Sequence, residues 1–168
     1  MELEIVQGSI LEVEADAIVN AANSQGWMGG GVAGVIKRAA GPEVEREAVA
    51  QAPIPIGSAV LTSGGNTKFK GIIHSPTMEQ PAMRIPAENV AKATAAALRL
   101  AEEKGFISIA LPGMGTGVGG VARDEAAKRM IQAIHAFCVQ KLKKVILVDI
   151  DSEMVAAWRK ESRRAAGK

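Results

Sequence analysis

Two stretches of this chain join a short apolar run to a loop unusually rich in glycine and then to a helical pattern: Asn20 to Gly31 and Pro112 to Gly120. Glycine lacks a Cβ, so the backbone N–H groups of such a loop can approach an anion closely. A helix starting just beyond it adds the positive end of its dipole. One such loop is equally well explained as a tight strand-to-helix connection. Two in one chain point to a site for two phosphates, at the carboxyl edge of a sheet where open α/β folds bind their ligands.

Other chemistries find little support. Gly115-Thr116-Gly117-Val118-Gly119-Gly120 satisfies the G-x-G-x-x-G spacing of dinucleotide sites. That fingerprint calls for an acid about 20 residues further on, yet Gln140 to Lys144 is basic and Asp149 comes late. Gly64 to Lys68 lacks the phosphate-loop spacing. His74 and His135 are the only histidines; without ligand spacing around either, both read as structural and no metal is expected. No G-x-S-x-G occurs, and Cys138 reads as a half-buried thiol on the last turn of a helix with no histidine partner. Covalent catalysis and a bound cofactor are therefore not expected.

The elements that must position the two loops follow from periodicity. Leu3 to Val6 and Ala17 to Val19 read as strands, and Val32 to about Ala40 as a helix stopped by Gly41-Pro42. Glu43 to Gln51 is a second helix; Ser58 to Thr62 and Gly71 to His74 are strands about the Gly64-Gly65-Asn66 turn. A helix opens at Pro86-Ala87-Glu88 and runs to about Lys104, with Gly105 as its stop. Strand Ile107 to Leu111, helix Asp124 to Phe137, strand Lys144 to Ile150 and a helix from Ser152 to about Arg163 complete the chain. Strands alternating with helices imply a mainly parallel sheet covered on both faces.

Composition sets outer bounds. The 168 residues are 48% hydrophobic and 23% charged, the range of one globular domain with its own core. A formal charge of +2 does not mark a dedicated nucleic-acid binder, and 3% aromatics with no tyrosine supply no stacking platform for single strands. The basic pairs Arg159-Lys160 and Arg163-Arg164 read as a solvated helix end. An acidic start, Met1-Glu2-Leu3-Glu4, and the lack of a membrane-spanning run give the expectation of a cytoplasmic protein that does not engage membranes, and one cysteine fits a reducing compartment.

Taken in order, Gln7-Gly8-Ser9-Ile10, Ala17-Ile18-Val19-Asn20-Ala21-Ala22-Asn23, Gly29-Gly30-Gly31-Val32-Ala33 and Leu111-Pro112 through Gly115-Thr116-Gly117-Val118 resemble a macro domain over about residues 3 to 160. The resemblance implies a three-layer α/β/α domain, one domain over residues 1–168, with a mixed, mostly parallel sheet and a cleft for ADP-ribose or a related nucleotide. It implies that the diphosphate lies between backbone N–H groups of Gly30, Gly31, Val32 and Ala33 and those of Gly115, Thr116, Gly117, Val118 and Gly119. Asn23 would hydrogen-bond the distal ribose and orient substrate; Ser9, Ile10 and Ile150 would border adenine. Asn20, within the same motif, reads as pinning the loop through its amide, because a buried amide needs partners and the loop backbone is nearest.

Departures from the family pattern shape the functional expectation. Ser9 stands where the family usually has Asp, and Ile150 where many relatives place an aromatic, which weakens the purine pocket. Gly119 stands where many have Phe or Tyr, giving the expectation of a more open, mobile second loop, with Trp27 either covering the ribose or lying away from it. Ala33 replaces the Asp of one hydrolase branch. Two functions stay open: hydrolysis of ADP-ribosyl esters or O-acetyl-ADP-ribose, or a non-catalytic reader of ADP-ribosylated protein or nucleic acid. Drift toward another nucleotide is a third.

Overall fold

Strands and helices alternate along residues 1–167, the part of the chain described by the computed structural model. The strands are β1 (Glu2–Gln7), β2 (Ala17–Asn23), β3 (Val60–Thr62), β4 (Gly71–Met78), β5 (Ser108–Leu111) and β6 (Lys144–Asp149). The helices are α1 (Gly31–Ala40), α2 (Pro42–Ala50), α3 (Ala87–Glu103), α4 (Arg123–Ala136) and α5 (Ser152–Ala166). They build a six-stranded sheet in the order β1-β6-β5-β2-β4-β3, parallel throughout except that β3 runs against β4.

Period-two alternation divides the core into two layers. Ala17, Val19, Ile73, Ile109 and Leu147 face α3, α4 and α5, where they meet Val90, Leu98, Met130, Ile134 and the fully buried Trp158. Ile18, Ile72, Ala110, Ile146 and Val148 face the opposite way, onto Met28, Ile36 of α1 and Val44 of α2. Strand β2 is buried on both faces, which explains why its first residues, Ala17 to Val19, are all apolar and do not alternate. The result is the three-layer α/β/α arrangement with a mixed, mostly parallel sheet.

Two strands run further than their apolar runs. Beyond Val19 and His74 the ladder continues through the pairs Asn20–His74, Ala21–Ser75 and Ala22–Pro76 before its register shifts and Asn23 faces Met78. The Ser75 hydroxyl donates to the Ala93 carbonyl at 2.6 Å and His74 uses both ring nitrogens, whereas the buried Asn20 Oδ1 has no partner among the described residues. In the other direction, α4 stops at Ala136, where Phe137 turns to extended backbone. Cys138 therefore lies beyond the helix and is exposed, not half-buried on its last turn.

The paired Asn20 and His74 are both fully buried. The Asn20 amide donates to His74 Nδ1 at 3.2 Å, and the protonated Nε2 donates to the Thr62 hydroxyl at 2.9 Å, which in turn donates to the Ser63 carbonyl. This corrects the reading of Asn20 as the residue that pins the loop: its amide joins β2 to β4, and its side chain is closed to ligand. Burial holds the imidazole neutral and lowers its pKa to about 4, against a weaker opposing pull from Glu47. In the unfolded chain the ring takes up its proton near pH 6.5, so between there and about pH 4 the unfolded state binds more protons. Stability is thus expected to fall as pH drops through this window, by up to roughly 3 kcal/mol at about 1.4 kcal/mol per pKa unit. Urea denaturation of the parent and of His74→Gln across that range checks it; the variant should lose this part of the acid sensitivity.

Candidate functional site

Strands β2 and β5 are parallel neighbours, but the chain leaving β2 passes to α1 on one face of the sheet and the chain leaving β5 passes to α4 on the other. Loops diverging in this way open a crevice at the carboxyl edge. Its walls are the two glycine-rich loops.

Both walls present unused backbone donors. In the first loop, the N–H groups of Gly29, Gly30 and Gly31 meet no acceptor among the described residues. Val32 and Ala33 stand in the first turn of α1, where helix geometry leaves N–H groups without a partner. Gly31 opens the helix at φ 58°, a left-handed conformation that glycine adopts without strain. In the second loop, Gly120 N donates to the Gly117 carbonyl at 3.1 Å and Val121 N to the Gly115 carbonyl at 2.9 Å, closing a tight turn. The N–H groups of Gly115, Thr116, Gly117, Val118 and Gly119 inside that turn have no acceptor among the described residues. Successive free N–H groups of this kind form concavities that hold anions. The ligand-binding residues expected from sequence, Gly30 to Ala33 and Gly115 to Gly119, thus flank one crevice.

Asn23 takes the role expected of Asn20. Its Oδ1 accepts from Gln25 N at 3.0 Å and its Nδ2 donates to the Trp27 carbonyl at 2.9 Å, so it folds the first loop back on itself. One amide hydrogen remains for a ligand at the base of the crevice. Pro76 of β4, opposite Ala22, has no N–H to give the ladder, and the register shifts at this point. A shift of this kind re-aims the next side chain, here Asn23.

Two carboxylates not anticipated from the sequence hold the walls in place. Glu45 of α2 accepts from Met28 N through Oε2 at 2.7 Å and pairs with Lys37 of α1 through Oε1 at 2.8 Å. Burial raises its pKa, but the contacts with Lys37 and Met28 outweigh that and hold the carboxyl below its ordinary value. Asp149, at the end of β6, accepts from Gly113 N at 2.9 Å through Oδ2 and from Asp151 N at 2.9 Å through Oδ1. It thereby ties the start of the second loop to Asp151, the residue capping α5. The available signals were a lone acid on the polar face of a helix and an acid closing a buried strand; neither forms a motif.

The second loop is not open in the way Gly119 suggested. Gly119 is buried, its carbonyl accepts from Ile85 N at 2.9 Å, and a Cβ there would lie 2.6 Å from the Gly115 carbonyl oxygen. The bare position is needed for the turn to close, so the loop is tight.

Beyond the last pair of β1 and β6, Gly8 N donates to the Asp149 carbonyl at 3.0 Å, which holds the ends of the two strands together. The Ser9 hydroxyl accepts from Leu11 N at 3.2 Å and caps a short 3-10 turn, Ile10–Glu12. Ile150 is 77% exposed and free to cover a flat ring, whereas Ile10 is 6% exposed with its side chain in the core. Ile10 can offer a ligand only its backbone. Trp27 is half-exposed on the first loop, and a groove of about 440 Å³ lined by Ser24, Gln25, Pro55, Ile56, Glu79 and Gln80 borders that loop. Among the described residues no cluster of His, Cys, Asp or Glu is arranged to hold a metal ion.

This combination of sheet, diverging glycine loops and asparagine defines an α/β/α module with a crevice of free backbone N–H groups at its carboxyl edge. The family model for the Macro domain matches residues 19–130, and the chain belongs to that family. An uncharacterised protein of Aquifex aeolicus is 62% identical over 160 residues, covering 95% of this chain and 97% of that one. An O-acetyl-ADP-ribose deacetylase of Klebsiella pneumoniae is 35% identical over 164 residues, covering 94% of each chain. Among solved structures, a variant of the Oceanobacillus iheyensis macrodomain with ADPR superimposes with a TM-score of 0.88 at 30% identity, covering 99% of this chain and 94% of that one.

The Glu45 anchor gives a direct test. Glu45→Ala leaves the half-buried Met28 N–H without its acceptor and should cost about 1–3 kcal/mol. Lys37→Met, removing the more exposed partner, should cost less than about 1 kcal/mol. Urea midpoints of the two variants check the ranking.

Proposed function

We propose that the chain binds ADP-ribose and hydrolyses ADP-ribosyl esters of the O-acetyl-ADP-ribose type. The observation that carries this reading is the pair of facing rows of unused backbone N–H groups with the Asn23 amide at their base. A diphosphate spanning the crevice would satisfy both rows at once. Ser9 and Ile150 then lie toward the purine end and Trp27 toward the distal ribose. The deacetylase relative and the ADPR-bound structural neighbour support the same ligand class.

Hydrolysis in such a site requires no side-chain base. Ala33 cannot activate water, so catalysis rests on position: Asn23 orients the distal ribose and the attacking water, a phosphate oxygen takes part in holding that water, and the N–H rows fix the phosphate. One observation favours the alternative of a non-catalytic reader of ADP-ribosylated protein or nucleic acid. Both functional ends of the Asn23 amide are already engaged by Gln25 and Trp27, leaving a single N–H for the ligand.

Calorimetric titration with ADP-ribose, with AMP and NAD as controls, tests the cleft; ADP-ribose is expected to bind at least about tenfold more tightly than either, a difference of about 1.4 kcal/mol. Asn23→Ala should abolish release of acetate from O-acetyl-ADP-ribose while keeping most of the affinity. Turnover by the variant at the parent rate would remove Asn23 from the mechanism, and absence of single-turnover release by the parent protein would leave the reader function.

A further inference from the structure

The segment joining β4 to α3, residues 79–86, lies as a strap against the second loop. Ile85 N donates to the Gly119 carbonyl at 2.9 Å, and a Cβ built on Gly115 would lie 3.0 Å from Ile85 Cδ1. Next to it, the Arg84 guanidinium is seated on Gly120: a Cβ there would meet Nη2 at 2.8 Å, Cζ at 3.0 Å and Nε at 3.2 Å. Gly120 thus provides a flat backbone seat that any side chain would fill. The strap reaches this position through Ala82 at φ 62°, the single non-glycine residue with positive φ among those described.

Arg84 is exposed, and it makes no hydrogen bond or ion pair to a described residue. Among cations on the wall helices, Arg38 of α1 and Lys128 of α4 likewise make no ion pair to a described residue, and Arg84 is set apart from them by its seat against Gly120 of the second loop. Lys37 is held by Glu45, and Arg123 at the start of α4 is held by Asp151 and Glu153. The rows of N–H groups carry only partial charges, so a diphosphate bound between them brings negative charge that nothing else described in the crevice neutralises. A guanidinium seated at the edge of the second row is suited to that task, because it pairs with phosphate oxygens through two parallel N–H groups.

We propose that Arg84 is a specificity-determining residue of this cleft, an arm that swings from its seat on Gly120 to pair with the ligand's diphosphate. It makes the site select for diphosphate charge beyond what the backbone alone provides. This rests on the reading of the crevice as a diphosphate site, but not on the distal ribose or on hydrolysis.

The test compares the parent with Arg84→Gln, Arg84→Lys and the control Arg159→Gln, which removes an equal charge from α5. Each is titrated with ADP-ribose and with ADP at low and high salt, and its melting temperature is recorded. Arg84→Gln should weaken both ligands about five- to twentyfold, the scale of one charge-assisted contact, and the loss should shrink at high salt. Arg84→Lys should recover part of the affinity, Arg159→Gln should bind as the parent does, and melting temperatures should stay unchanged. Unaltered ADP binding by Arg84→Gln, or an equal loss in Arg159→Gln, overturns the assignment. If ADP binds through Arg84 but ADP-ribose is not preferred to ADP, the arm stands and the ADP-ribose function falls. If the parent binds neither nucleotide, both fall.

Discussion

An anion held by main-chain N–H groups demands something a protein normally avoids, a run of backbone donors kept free of any internal acceptor. Helices and strands consume those donors, so the run can exist only in irregular loops, and such loops are mobile unless something else fixes them. The rest of the molecule answers that demand. The crevice between β2 and β5 supplies the place, because it is there that the connections of neighbouring strands leave the sheet on opposite faces. Side-chain bonds and a few backbone bonds that spare the free donors do the fixing. Asn23 and Glu45 hold the first loop, and Asp149 and the contact with Ile85 hold the second.

The same constraint explains the polar residues inside the sheet. His74, Asn20 and Thr62 are buried polar residues on β4, β2 and β3. Their hydrogen bonds run across three strands and close on the Ser63 carbonyl. They stiffen the sheet just below the point where β2 gives way to Asn23 and the first loop. Stiffness there sets the position of everything above it.

The sheet was legible because buried strands and amphipathic helices announce themselves by period, as in Ala17 to Val19 or the face built by Val90, Ala97 and Leu98. The glycine loops were legible because glycine in excess of turning needs has few other uses. Strand ends were not, since Asn20 to Asn23 and Ser75 to Met78 continue the ladder with polar residues whose partners are distant in sequence. That Asn23 and not Asn20 folds the first loop has the same origin. Three residues apart, the two amides look alike in the sequence, and only the register with His74 decides which is consumed by the sheet. Gly119 misled for a related reason: its bareness serves contact with Gly115, four residues back, and an internal contact leaves no periodic trace.

In the proposed reading the phosphate seat is made of main chain, so the side chains at Val32, Ala33, Thr116 and Val118 are not what would grip the ligand. Mutational drift at those positions can therefore alter the chemistry beside the phosphate while the grip persists. A lineage built on this scaffold is free to gain or lose catalysis by single substitutions, without passing through forms that have lost the nucleotide. Gly31, Gly115, Gly119 and Gly120 have no such freedom, being fixed by positive φ or by close contact. Change in this fold should accumulate around the seat, and hardly ever in it.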